Sequence, residues 1–246
     1  PLPQMHRVRQ SFSRPRLEDI EAHIKQEITK KEISEKIKPG AKVAVAVGSR
    51  GIKNLAKIVK EVIGQIKELG GEPFIISAMG SHGGGTPEGQ REVLASYGIT
   101  EENIGVEIVT SVDVVRLGRT SGGIDVYFDS AALGADLIVP INRVKLHTDF
   151  VGDIQSGVCK MLVIGLGNHV GCTAVHEADF DNFADILIEA AGMIMKHASV
   201  GFGVAILENA YDETAMIEAI PAEKIIEREK ELVKIAKDNM PTLMIP

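Results

Sequence analysis

An alternation of two patterns restricts the fold of this chain more than anything else in it. Lys42-Val-Ala-Val-Ala-Val47 is apolar at every position after the lysine, as suits a strand buried on both faces of a parallel sheet. It runs into Gly48-Ser49-Arg50-Gly51, and helical spacing then holds from about Asn54 to Leu69 until Gly70-Gly71 closes it. Pro73-Phe-Ile-Ile-Ser-Ala78 reads as a second strand that delivers Gly80-Ser-His-Gly-Gly-Gly-Thr86 at its end. Pro87 is placed to open a further helix, with Glu88 and Glu92 in its first turns. Strand, loop, helix, strand, loop, helix is the order of βαβ units, whose crossovers are right-handed. The expected fold class is therefore α/β: a mainly parallel open sheet with helices on both faces, Rossmann-like in organisation.

The flanking stretches extend the same plan. Residues 17–37 carry apolar side chains at helical spacing, with acids early and lysines late, and Pro39-Gly40 ends that helix or pair of helices. Between Val106 and Asp129 the pattern weakens into short strands at Val106–Val109, Asp113–Leu117 and Ile124–Phe128, with a turn at Thr120–Gly123. Asp136-Leu-Ile-Val-Pro-Ile141 is another apolar strand. Beyond it a helix is expected over Phe180–Met195, a strand over Val200–Leu207 and a charged helix over Ala222–Lys237. No internal repeat is present.

Composition bounds the class. With 246 residues, 44% of them apolar and 25% charged, the chain can bury a sizeable core as one domain over 1–246. A net charge of -7 removes any general attraction to nucleic acid or anionic lipid, so a site for an anion must be local. The basic segment with His6, Arg7, Arg9, Arg14 and Arg16 reads as a solvated arm. No apolar run approaches the roughly 18 residues that span a bilayer, and the N-terminal stretch lacks the apolar core of a signal peptide. Cys159 and Cys172 have no disulfide framework around them, which fits the reducing cytoplasm. The start at Pro1 and the apolar end Thr242–Pro246 lead us to expect a piece of a longer protein.

Open parallel sheets bind ligands at the carboxyl ends of their strands, and three loops fall there. The first carries Arg50, whose guanidinium fork suits a carboxylate or phosphate. The second carries His82 among Ser81, Gly83, Gly84 and Thr86, a candidate anion cradle that matches neither the Walker P-loop nor G-x-G-x-x-G. The third, Asn142–Glu177, holds both cysteines, Lys145 and Lys160, and His147, His169 and His176; its apolar run Met161–Ile164 should be anchored in the core while its ends stay irregular. The cysteines lack zinc-type C-x-x-C spacing. His82 and His147, at the ends of different strands, could act as base and acid on opposite faces of one substrate.

The segments GSRGI, AMGSHGGGTPEGQ, NRVKLHTDF and SGVCKMLVIGLG, in that order and spacing, resemble the N-terminal domain of the lactate racemase family. The resemblance implies the first of two α/β domains, with the second absent from this chain. It implies a nickel-pincer nucleotide tethered to Lys160 and ligated by the imidazole of His176, with His169 as the rival ligand. Arg50, Ser81, Gly83 and Gly84 would hold the cofactor, and His82 and His147 would be the paired acid and base. The implied activity is racemisation or epimerisation of a small 2-hydroxy acid, lactate or a relative, through proton and hydride transfer. Neither nucleic acid nor membrane is an expected partner, and homo-oligomerisation stays open. Two departures stand out: Val47 occupies the position of an aspartate three residues before the arginine, and TDFVGDIQSGVC differs in length and composition from the racemase pattern. A nucleotide- or anion-binding module without chemistry is the alternative. A dehydrogenase with exchangeable nicotinamide is weaker for want of the fingerprint glycines.

Overall fold

The computed structural model describes residues 7–177 and 182–244; His6, the expected helix start at Phe180 and the last two residues lie outside them. In chain order the helices are α1 (Ile20–Ile28), α2 (Lys31–Ser34), α3 (Leu55–Glu68), α4 (Pro87–Ser96), α5 (Glu101–Ile104), α6 (Ser130–Leu133), α7 (Val158–Lys160), α8 (Asn168–His176), α9 (Phe183–His197) and α10 (Ile225–Asn239). The strands are β1 (Lys42–Val47), β2 (Glu72–Ser77), β3 (Ile108–Val109), β4 (Val114–Arg119), β5 (Asp125–Asp129), β6 (Leu137–Arg143), β7 (Phe202–Glu208) and β8 (Thr214–Pro221). Six strands form one sheet in the order β3-β2-β1-β6-β7-β8, and β4 with β5 makes a separate antiparallel pair. All neighbours in the large sheet are parallel except β7 and β8.

Side chains alternate across β1, so its uninterrupted apolar run feeds two cores. Val43, Val45 and Val47 join the layer packed by α1 and α3, with Ile24, Ile58 and Val62. Ala44 and Ala46 join the opposite layer, with Leu162, Leu187, Ile194 and Leu232 from the segments around α7, α9 and α10. Helices therefore cover both faces, as the apolar strands require.

Three differences from the sequence reading have local causes. The end of the third loop is not irregular: α7 runs into a π-helical turn, Met161–Gly165, and then, past a corner, into α8. Glycine permits that path, because a Cβ on Gly165 would stand 2.8 Å from the Ala78 carbonyl oxygen and one on Gly167 2.4 Å from that of Val163. Strand β8 is an unforeseen antiparallel edge, formed where Asn209 accepts from the backbone N–H groups of Tyr211 and Glu213 and turns the chain. The basic arm is exposed yet docked: Arg14 makes a bidentate pair with Glu213 at 2.7 and 2.6 Å and lies 5.0 Å from the Tyr211 ring centroid. Among the described residues no single helix is long and apolar enough to cross a membrane; Val158–Gly165 and Asn168–His176 reach that length only together and are bent by 107°.

Candidate functional site

Strands β2, β1 and β6 are adjacent and parallel, so the loops leaving their carboxyl ends share one edge of the sheet. A cavity of about 410 Å³ opens there, walled by Arg50, Ser81, His82, His147, Lys160 and His176, together with Lys145, Asn142, Asp149 and Cys172. A larger cleft of about 690 Å³ lies at the opposite edge, near the start of β1 and β2, and has no histidine among the described residues of its wall.

Each imidazole is oriented by a different partner. The Ser49 hydroxyl meets Nδ1 of His82, and Ser49 is itself held by Tyr97, whose hydroxyl donates to the Ser49 carbonyl at 2.8 Å. Burial lowers the pKa of His82, and the charges of Arg50 and Lys160 push the same way. His147 receives the Asp149 backbone N–H on Nδ1 at 3.2 Å, while the backbone N–H of His147 donates to the Gln155 side-chain oxygen at 2.7 Å. With Nδ1 occupied as an acceptor, the neutral ring carries its proton on Nε2. Burial, then Lys160, lowers its pKa against the opposing effect of Asp149.

His176 ends α8, and its Nδ1–H donates to the Cys172 carbonyl at 2.7 Å, because a carbonyl can only accept. The lone pair is thereby left on Nε2, the arrangement of a ligating imidazole whose other nitrogen is held by a backbone oxygen. The Lys160 amine stands 5.7 Å from the Phe150 ring centroid, and Phe150 in turn packs against His147 at 4.4 Å between centroids. Burial first, then Arg50 and Lys145, lowers the pKa of Lys160 to about 8.

Not every expected residue reaches the wall. Gly83 and Gly84 lie in a tight turn of left-handed backbone, Gly83–Gly85, that packs back on the start of α4, outside the cavity. His169 is also outside it; its ring covers Gly85. Val47 is fully buried in the apolar layer under α3, so its position offers the cavity no acid. Among the described residues no group of three or more histidine, cysteine, aspartate or glutamate side chains could hold a metal ion unaided.

Sequence reasoning assigns no role to two members of this region. Lys145 lines the cavity two residues before His147, and an i, i+2 pair in extended chain shares a face, a signal that was available. Glu229 of α10 is completely buried behind α7 and accepts the Cys159 N–H at 3.0 Å, while its second oxygen has no partner. Burial raises its pKa to about 7.

Residues 5–186 match the family model of the lactate racemase N-terminal domain. The structure of the lactate racemase apoprotein from Thermoanaerobacterium thermosaccharolyticum aligns with a TM-score of 0.64 at 15% identity, over 91% of this chain and 57% of that one, a likeness of fold. No curated protein matches by sequence.

Proposed function

The chain belongs to the lactate racemase N-terminal domain family, and from that premise we propose that it isomerises a small 2-hydroxy acid at a nickel-pincer nucleotide tethered to Lys160. Because the chain spans 57% of the length of the related racemase structure, the activity is proposed for the complete protein. The supporting observation is that Lys160, His82, His147 and His176 line one cavity. A cytoplasmic setting belongs to the same proposal and agrees with two free thiols.

The residues fit such a group. A lysine with a pKa of about 8 keeps about a tenth of its amine neutral at pH 7, so Lys160 is a competent nucleophile for the tether. His176 offers Nε2 as a protein ligand to a cofactor that brings donors of its own. When bound, the nickel-pincer nucleotide supplies a reversible acceptor for the hydride at the substrate's C2.

The protein's own residues manage the proton. The Ser49 hydroxyl can donate to or accept from His82, so this ring can take the proton of the substrate hydroxyl as the hydride leaves C2. His147, with Nε2–H in its neutral form, can donate to the oxygen of the planar 2-keto acid as the hydride returns to the opposite face. One ring gains a proton and the other loses one, and exchange with water restores both. Arg50 offers a fork for a carboxylate or phosphate.

The test uses the cofactor-loaded protein and a single enantiomer of a 2-hydroxy acid deuterated at C2. Racemisation with deuterium retained is expected, and His82→Gln or His147→Gln should slow it by about 100-fold or more. Deuterium lost to water would refute hydride transfer. The cationic cavity also suits an anion-binding module without chemistry, for which both substitutions would leave ligand affinity intact and no racemisation would be seen.

A further inference from the structure

We propose that Lys145 and Arg50 together form a binding site for a doubly charged oxyanion, separate in role from Lys160. This deepens the reading above and rests on it only in taking Lys160 as the tether.

The cavity wall holds three cations, Arg50, Lys145 and Lys160, in a chain of net charge -7. Among the described residues none of the three has a carboxylate in ion-pair contact, although neighbouring Arg143 pairs with Glu208. Among the described residues the one carboxylate in the wall, Asp149, has a side chain 66% exposed to water. Lysine and arginine side chains brought close together repel one another, which disfavours the charged form of each amine, although Asp149 opposes this at Lys160. Arg143 and Arg50 push the pKa of Lys145 down, after burial, and Arg50 and Lys145 do the same to Lys160. Attachment of a cofactor through the Lys160 amine would remove that charge and leave Arg50 and Lys145 as the remaining pair.

The backbone carrying Lys145 is fixed for the purpose. Its N–H donates to the Ser156 carbonyl at 2.9 Å and its carbonyl accepts from the Ser156 N–H at 3.2 Å, an isolated antiparallel bridge across the mouth of the third loop. Lys145 thus follows β6 on braced chain rather than on a loose loop, and Arg50 follows the neighbouring parallel strand β1. Two positive groups on adjacent strand ends match a dianion better than a monoanion. A phosphate of the nucleotide and the paired carboxylates of a 2-hydroxy dicarboxylic acid both have that chemistry.

Calorimetric titration of the cofactor-free 246-residue chain at pH 7 and low salt decides the matter, with inorganic phosphate, malonate and acetate as probes. Saturable binding of phosphate or malonate is expected, at least about tenfold tighter than acetate. Lys145→Met should weaken it at least about tenfold and Lys145→Arg should keep it within about threefold. Phosphate ahead of malonate assigns the site to the nucleotide; malonate ahead assigns it to the substrate. Binding unchanged in Lys145→Met, equal affinity for acetate, or no saturable binding of any probe overturns the proposal. Nickel content and the mass of Lys160 in loaded protein are read separately, so a failure of the cofactor reading is not confused with a failure here.

Discussion

Replacing Glu229 by glutamine should remove a pH-dependent weakness from the fold. The carboxyl is completely buried, accepts the Cys159 N–H with one oxygen and leaves the other unpartnered, and burial raises its pKa from the usual 4.5 to about 7. Between those two values the folded chain binds the proton more readily than the unfolded chain. Stability is then fully supported at the acid end, falls as pH rises through the window, and is flat above it. A separation of that size corresponds to about 3 kcal/mol, most of it lost between pH 5 and 8. Glutamine keeps an acceptor for the backbone N–H, has the same size and does not ionise. Urea unfolding at pH 5 and pH 8 reads the effect: with an m value of about 3 kcal/mol/M, the parent midpoint should fall by about 1 M more than that of Glu229→Gln. Parallel pH profiles for the two proteins would refute the placement of an ionising carboxyl in that interior.

Two further outcomes follow from the site. Gly83 and Gly84 both have φ near +66°, at 66° and 67°, but a Cβ on Gly83 would lie 2.6 Å from the Gln90 backbone nitrogen while one on Gly84 meets open space. Gly84→Ala should cost about 1 kcal/mol of left-handed strain, and Gly83→Ala clearly more, as urea midpoints will report; equal losses would contradict the packing of that turn on α4. Acylation of Lys160, followed by peptide mapping, should rise with pH to a midpoint near 8 rather than near the ordinary 10.5, because deprotonation creates the reactive amine. A midpoint above 10 would remove the case for a primed nucleophile.

Much of the fold is legible in the residues because buried parallel strands are continuous apolar runs, as in Val43–Val47 and in Phe202–Leu207. Strand β8 is harder to read: Glu218 breaks the apolar run, and an edge strand needs only one well-covered face. Met161–Ile164 is too short an apolar run to distinguish strand from helix by periodicity, and its π-helical turn depends on glycine contacts made far away in sequence. Arg50, His82 and His147 can be found because each follows a strand end. Glu229 hides in a helix crowded with charge, although it stands four residues after Ile225 and three before Leu232, on the apolar side. Gly83 and Gly84 read as a cradle because glycine permits close approach to a ligand and to a neighbouring helix alike, and for Gly83 the neighbour is α4, while Gly84 faces open space.

The central claim is that this cavity carries a nickel cofactor on Lys160. Intact mass, tryptic mapping and metal analysis of cofactor-matured protein test it directly. The account predicts added mass on the peptide containing Lys160 with one nickel per chain, the nickel lost in His176→Ala while the adduct remains. Matured protein with an unmodified Lys160, or with nickel that survives loss of His176, would contradict it.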